Sequence, residues 1–332
     1  MGSNCACYRS TPDSDLLNLR HSLKDPTAYP YSCSNMNKSI SHLVDLVYQQ
    51  KQTDLSTINL SYKEINEENT SFLSVVLPYY YHLHKLILNS AFTGNEVWEI
   101  LADPLKDLTN LKELELSFNS IGTEGAKRVA EALDSMYSLE RLLIQNASLG
   151  DEGIKYIATG LYGLKALQVL HLGENMIGDL GAASLGNTLA SLSSLAVLDL
   201  EKNEIGIDGT RSIAAGIKGL LGLKTLKLSE NNIQSEGLLP LAQAFPSSLS
   251  ELYLDTNSIT KSGIMCLAKE LPRLTMLKIF SLNHNYIEDE GAKILMVSLQ
   301  HVELNILGLV DCGVLRGRSS FTSAQPTADI LF

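Results

Sequence analysis

One pattern recurs down most of this chain and limits what it can fold into. Its first leucine falls at Leu55, Leu83, Leu111, Leu139, Leu167, Leu195, Leu223, Leu249, Leu277 and Leu304, at intervals of 28 residues and then 26, 28 and 27. The full pattern is Leu-x-x-Leu-x-Leu-x-x-Asn-x-Ile, as in Leu167, Leu170, Leu172, Asn175 and Ile177, and again in Leu195, Leu198, Leu200, Asn203 and Ile205. A unit of this size cannot bury its apolar face alone, so units must stack and their ends must be covered.

The spacing predicts the local structure of one unit. Around Leu114 and Leu116 apolar and polar residues alternate, which predicts a strand with alternate side chains pointing inward. The Asn that follows (Asn119, Asn175, Asn203, Asn231, Asn257, Asn285) stands where the chain leaves the strand. A buried amide there can satisfy backbone groups that the turn leaves unpaired. Next comes a Gly (Gly125, Gly153, Gly181, Gly209, Gly237, Gly263, Gly291), expected to hold a tight backbone position before a helix. Ala126, Val129, Ala130 and Leu133 then recur at helical spacing and give that helix an apolar face.

This strand-plus-helix form, from about Leu55 to Val314, resembles the ribonuclease-inhibitor-like subfamily of leucine-rich repeats. The resemblance implies an α/β solenoid shaped like a horseshoe, with parallel strands on the concave face and helices on the convex one. It does not imply one activity, since function belongs to sites placed on a fold. Ribonuclease inhibitors are very rich in cysteine; this chain has five, at Cys5, Cys7, Cys33, Cys266 and Cys312, so it departs from them there. So few cysteines make no disulfide framework, and the expected compartment is a reducing cytoplasm.

The expected organisation is a flexible segment over 1–38, a capping helix over 39–54, about ten repeats over 55–314 and an irregular tail over 315–332. Ser39 stands as N-cap, and Ile40, Leu43, Val44 and Val47 follow at helical spacing. The first two units are degenerate, with Lys63 and Ala91 in place of the Asn, and Phe72, Tyr79, Tyr80 and Tyr81 are expected to fill that end. Ala147 breaks the Asn series once more, so that its turn loses a partner or borrows Asn146. At the far end the tail either folds back as a cap or leaves an end for a partner. Met1 to Cys7 has two readings: an ordinary polar N-terminus, or lipidation with myristoyl on Gly2 and palmitoyl on Cys5 or Cys7. Ala6 stands where the myristoylation motif prefers Ser or Thr. The second reading would associate a cytoplasmic protein with a membrane.

Net charge of −11 argues against nucleic-acid binding, which needs a basic footprint. The sequence has no phosphate-binding Gly-rich loop and no His-Glu-x-x-His, and its seven histidines are scattered. No cofactor, metal or catalytic residue is expected. The concave face remains. Its expected residues are the acidic Glu113, Glu115, Glu174, Asp199, Glu201, Glu230, Glu251 and Asp255, the basic Arg141, Lys202 and Lys227, and Phe118, His171, Tyr253 and His284. Aromatic residues beside charges are the composition of interface anchors. The expected function is a non-enzymatic scaffold or adaptor, its partner a protein with a basic patch. Ran GTPase-activating proteins share the repeat subfamily, so the resemblance also raises a small GTPase as partner, with Arg141 as the candidate by charge and place.

Overall fold

A computed structural model describes residues 38, 40–42, 55–92, 96–315 and 328–332. Each unit places three residues in a strand: β1 (Thr57–Asn59), β2 (Lys85–Ile87), β3 (Glu113–Glu115), β4 (Arg141–Leu143), β5 (Val169–His171), β6 (Val197–Asp199), β7 (Thr225–Lys227), β8 (Glu251–Tyr253), β9 (Ile279–Ser281) and β10 (Ile306–Gly308). An eleventh strand, β11 (Asp329–Leu331), follows them. All pair in parallel and in chain order, in one open sheet. The central residue of each repeat strand, such as Leu114, Leu142 or Leu170, is buried beneath the sheet, while the flanking two face the other side.

Helices return the chain between strands. They are α1 (Glu67–Val76), α2 (Val97–Lys106), α3 (Gly122–Leu133), α4 (Gly150–Leu161), α5 (Asp179–Leu189), α6 (Ile207–Ile217), α7 (Gln234–Ala244), α8 (Lys261–Glu270) and α9 (Glu288–Ser298). Strands lie about 4.8 Å apart and packed helices about 8–10 Å apart, so stacking bends the array with the sheet inside the curve. None of the helices described is long and apolar enough to cross a membrane.

The Asn series forms a ladder through the turns. Asn203 Nδ2 donates to the carbonyls of Leu172 and Leu200, while its Oδ1 accepts from the backbone N–H of Asn175 and Ile177. Asn119, Asn175, Asn231, Asn257 and Asn285 likewise bond their own turn and the preceding one. At Ala147 the ladder is mended without Asn146, whose amide goes to Glu174 instead. There the Ala147 carbonyl itself accepts from Ile121 N–H, and the flanking Asn119 and Asn175 already serve Leu116 and Ile144. Cys312 ends the series by donating its thiol to the Leu282 carbonyl.

The repeated glycines do a different job from the one expected. Gly181 and Gly209 lie inside the first turns of α5 and α6, where a Cβ would come within 2.4 Å of Ile154 and 2.6 Å of Asp179 respectively. The space admits a second ladder. Asp151 Oδ1 accepts from the N–H of Gly178 and Gly181, and Asp179 Oδ1 from those of Gly206 and Gly209. Each aspartate thus caps the helix of the next repeat, whose own N-cap residue is a glycine without a side chain. Further along, Gly216 meets Gly186 so closely that a Cβ would stand 2.4 Å from its carbonyl oxygen. Gly216→Ala must therefore part α5 from α6, and we expect a loss of about 1–3 kcal/mol in chemical denaturation.

The two ends are irregular. Phe72 and Tyr80 are buried and Tyr79 packs on the core, whereas Tyr81 is exposed. Residues 38 and 40–42 are helical and Ile40 is buried; the rest of the expected segment and cap, including Gly2, Cys5 and Cys7, lies outside the described residues. The tail is not irregular throughout. Asp329–Leu331 pairs with β10, and Ala328, Ile330 and Phe332 pack against the core, so these residues cover the last repeat.

Candidate functional site: the concave face of the sheet

The outward residues of the strands, with those just after them, make one face, mostly polar but interrupted by Ile87, Leu143, Val169, Val197, Ile279 and Ile306. Its charges fall into two groups of different character. In the first, Lys85 Nζ lies 3.1 Å from Glu113 and 3.2 Å from Glu115, and Arg141 Nε donates to Glu113 at 3.1 Å. Asn89 donates to Glu115 at 2.6 Å and accepts from Ser117 N–H. Burial works to raise the Glu113 pKa, but Lys85 and Arg141 outweigh it and hold the carboxyl below its usual range. Two carboxylates face two cations, so the group is neutral. Lys85 was not anticipated, although the register from Leu83 puts it on this face; the degenerate unit hid it.

The second group spans β5 to β9. Asp199 is buried, with its Oδ2 3.7 Å from His171 Nδ1, 3.8 Å from Lys227 Nζ and within hydrogen-bond reach of Gln145. It lies under the face instead of on it, and also accepts from Glu201 N–H. Glu201 is half-buried, 3.8 Å from Lys227; burial and the neighbouring Asp199 raise its pKa. Lys227 also sits 5.5 Å from the Tyr253 ring centroid, and Tyr253 donates to Glu251. Burial, then Glu251, pushes the Tyr253 pKa up to about 12. Asp255 accepts from Ser281, Asn283 N–H and Ser229, which commits it to tying three repeats together. Of these four carboxylates, only Asp199 and Glu201 lie within 4 Å of the Lys227 ammonium among the described residues.

Burial lowers the His171 pKa, aided by Lys227 and Arg141 and opposed by Asp199, so the neutral ring is favoured. A histidine whose folded pKa lies below its unfolded value of about 6.5 stabilises fully above that value, and this contribution is lost as pH falls through the folded pKa. His171→Gln should therefore flatten the fall in stability on acidification, read as urea midpoints from about pH 7.5 to 5.

The other expected site residues are not brought into these groups. Phe118, Glu174, Lys202, Glu230 and His284 occupy the same left-handed position, with φ of 53° to 61°, where the chain turns off the strand. They line one edge of the sheet in a row. Glu174 pairs with Lys202 at 3.4 Å, His284 stands 3.4 Å from Asp311, and Phe118 is half-exposed. No group of three or more His, Cys, Asp or Glu side chains among the described residues is placed to hold a metal ion.

A leucine-rich-repeat family model matches residues 107–130, 165–186, 223–242 and 273–296. No curated protein matches the sequence. Among solved structures, an internalin (inlF) from Listeria monocytogenes is similar, with a TM-score of 0.52 at 18% identity, over 99% of this chain and 92% of that one. An internalin C2 from the same organism has a TM-score of 0.42 at 22% identity, over 88% of this chain and 92% of that one. Repeats matched in sequence and an open sheet of parallel strands alternating with helices describe one architecture: the molecule is a leucine-rich-repeat solenoid.

Proposed function

We propose that the protein is a non-enzymatic interaction module, a scaffold or adaptor whose concave face receives a protein partner bearing a basic patch. The observation that carries this reading is the charge imbalance between β5 and β9, where among the described residues Lys227 reaches Asp199 and Glu201, and no ammonium or guanidinium lies within 4 Å of Glu251 or Asp255. An excess of negative potential on an inward-curved surface speeds the approach of a cationic partner and selects against an anionic one. We place the repeats in the ribonuclease-inhibitor-like subfamily, on the strength of their 28-residue period and the full helix in most units. The alternative, activation of a small GTPase, would rest on Arg141, whose Nε donates to Glu113.

The test is selection of peptides from a random displayed library on the immobilised full chain, compared with a Glu201→Lys, Glu251→Lys variant. Neither of these carboxylates is buried or holds backbone, unlike Asp199 and Asp255. Wild type should enrich peptides rich in Lys and Arg, and the variant should lose them by about a hundredfold in affinity. Enrichment of the same basic peptides by both proteins would sink the reading.

A further inference from the structure

One strand row crosses the concave face through the acidic group. It runs Glu115, Leu143, His171, Asp199, Lys227 and Tyr253, one residue to each strand from β3 to β8. His171 is the member of this row whose charge ordinarily changes between about pH 5 and 8. Its ring is partly exposed, so a partner on this face would meet it.

Asp199 beside it is nearly sealed, with 3% of its side chain exposed, so water screens its charge weakly. Among the described residues its Oδ2 has long contacts, 3.4 Å to Gln145, 3.7 Å to His171 and 3.8 Å to Lys227. A fully formed ion pair with a carboxylate closes to about 2.7–2.9 Å. Two cations can supply that closer contact: a partner's Lys or Arg, or His171 once protonated. The other charges around the ring oppose its protonation or point elsewhere. Lys227 on β7 and Arg141 on β4 repel a proton from it, and Arg141 donates to Glu113. Leu143, directly across on β4, is apolar. Glu174, which follows β5, pairs with Lys202, and Glu115 turns to Lys85 and Asn89. Glu201, which follows β6, reaches Lys227 at 3.8 Å.

We propose that His171 is a proton-operated release switch for the partner: once protonated, its ring pairs with Asp199 and takes up the charge that a partner's Lys or Arg would otherwise meet. The inference rests on the concave-face reading and adds its regulation. Burial favours the neutral ring, so the face accepts a cation at neutral pH and gives it up below the ordinary histidine range. Glu201 works in the same direction, because burial and Asp199 raise its pKa and it takes up a proton before an ordinary glutamate. By linkage, a bound cation must in turn lower the His171 pKa, so that binding expels protons wherever the ring titrates.

The probes are the Lys- and Arg-rich peptides selected on wild type, remade with an acetylated N-terminus and without His, Asp or Glu. Calorimetry on the full chain, in two buffers of different ionisation enthalpy, reads affinity and proton release together. From about pH 7.5 to 5, wild type should lose about tenfold in affinity and expel protons on binding. His171→Gln should lose less than about threefold, the share left to Glu201, and expel fewer protons. A purely structural role for His171 would weaken binding by the same factor at every pH. Titration of the His171 ring by NMR needs no variant: its pKa should fall when peptide is bound. An equal loss of affinity in wild type and His171→Gln, no loss in wild type, or a His171 pKa that peptide leaves unchanged or raises overturns the inference and leaves the basic-partner reading standing. Failure of the Glu201→Lys, Glu251→Lys comparison, or no enrichment at all, removes that reading and the switch with it.

Discussion

Asn203→Ala should cost about 3 kcal/mol, the largest loss expected from any single turn residue. Its amide sits between two repeats and serves both. The carbonyls it bonds would keep a partner each, because Asn175 also donates to Leu172 and Asn231 to Leu200. The N–H groups of Asn175 and Ile177 have no such reserve, and a buried donor left unpaired costs about 1–3 kcal/mol. Urea denaturation should report the loss, and amide exchange should quicken first at Asn175 and Ile177. Asn146→Ala is the control. That side chain is on the surface and bonds only Glu174, so its removal should change stability by less than about 0.5 kcal/mol. Equal losses from the two would show that the ladder contributes nothing beyond ordinary surface packing.

The ladder was legible in the sequence because its spacing is fixed by one backbone geometry that every unit repeats. The same periodicity placed the strands, the helices and the side of the sheet on which Glu113, Arg141 and Tyr253 emerge. What periodicity does not carry is a bond between units through residues of different type. Asp151 and Asp179 cap the helices of the next repeats, but of the other five glycines only Gly291 has an aspartate two places before it, Asp289, so the motif is too sparse to read as a repeat. Their effect was assigned to the glycines, which only make room. Depth was hidden in the same way. Asp199 occupies the same strand position as Glu115, whose side chain keeps 14% of its exposure, yet Gln145, His171 and Lys227 close over Asp199 until 3% remains. Alternation along a strand says which side a residue takes, and neighbours on adjacent strands decide whether it is covered. The tail illustrates the limit from the other direction: Asp329–Leu331 shows none of the leucine pattern, and its place on β10 comes from an open sheet edge that any extended segment can fill.

Reversing charge on the two halves of the concave face should produce opposite phenotypes. Glu113→Lys removes the anion that holds both Lys85 and Arg141, and sets a third cation between them. Glu113 is largely shielded from solvent, so screening is weak, and the expected loss is about 2–4 kcal/mol in a denaturation midpoint. Its pKa, held low by those partners once burial is overcome, gives a pH signature as well. A carboxyl with a depressed folded pKa stabilises above its unfolded value, and that stability is lost as pH falls through the folded one. The difference between wild type and Glu113→Lys should therefore shrink in acid. Glu201→Lys with Glu251→Lys acts where carboxylates already crowd one another. Glu201 is raised in pKa by burial and by Asp199, so its charge is carried at some cost to the fold, and removing it should leave stability within about 1 kcal/mol. The first variant is thus expected to lose stability and keep selection of basic peptides at temperatures where it remains folded, and the second the reverse. If Glu113→Lys abolished binding while folded, the binding surface would lie on the β2–β4 group, and the charge imbalance between β5 and β9 would be only a feature of the fold.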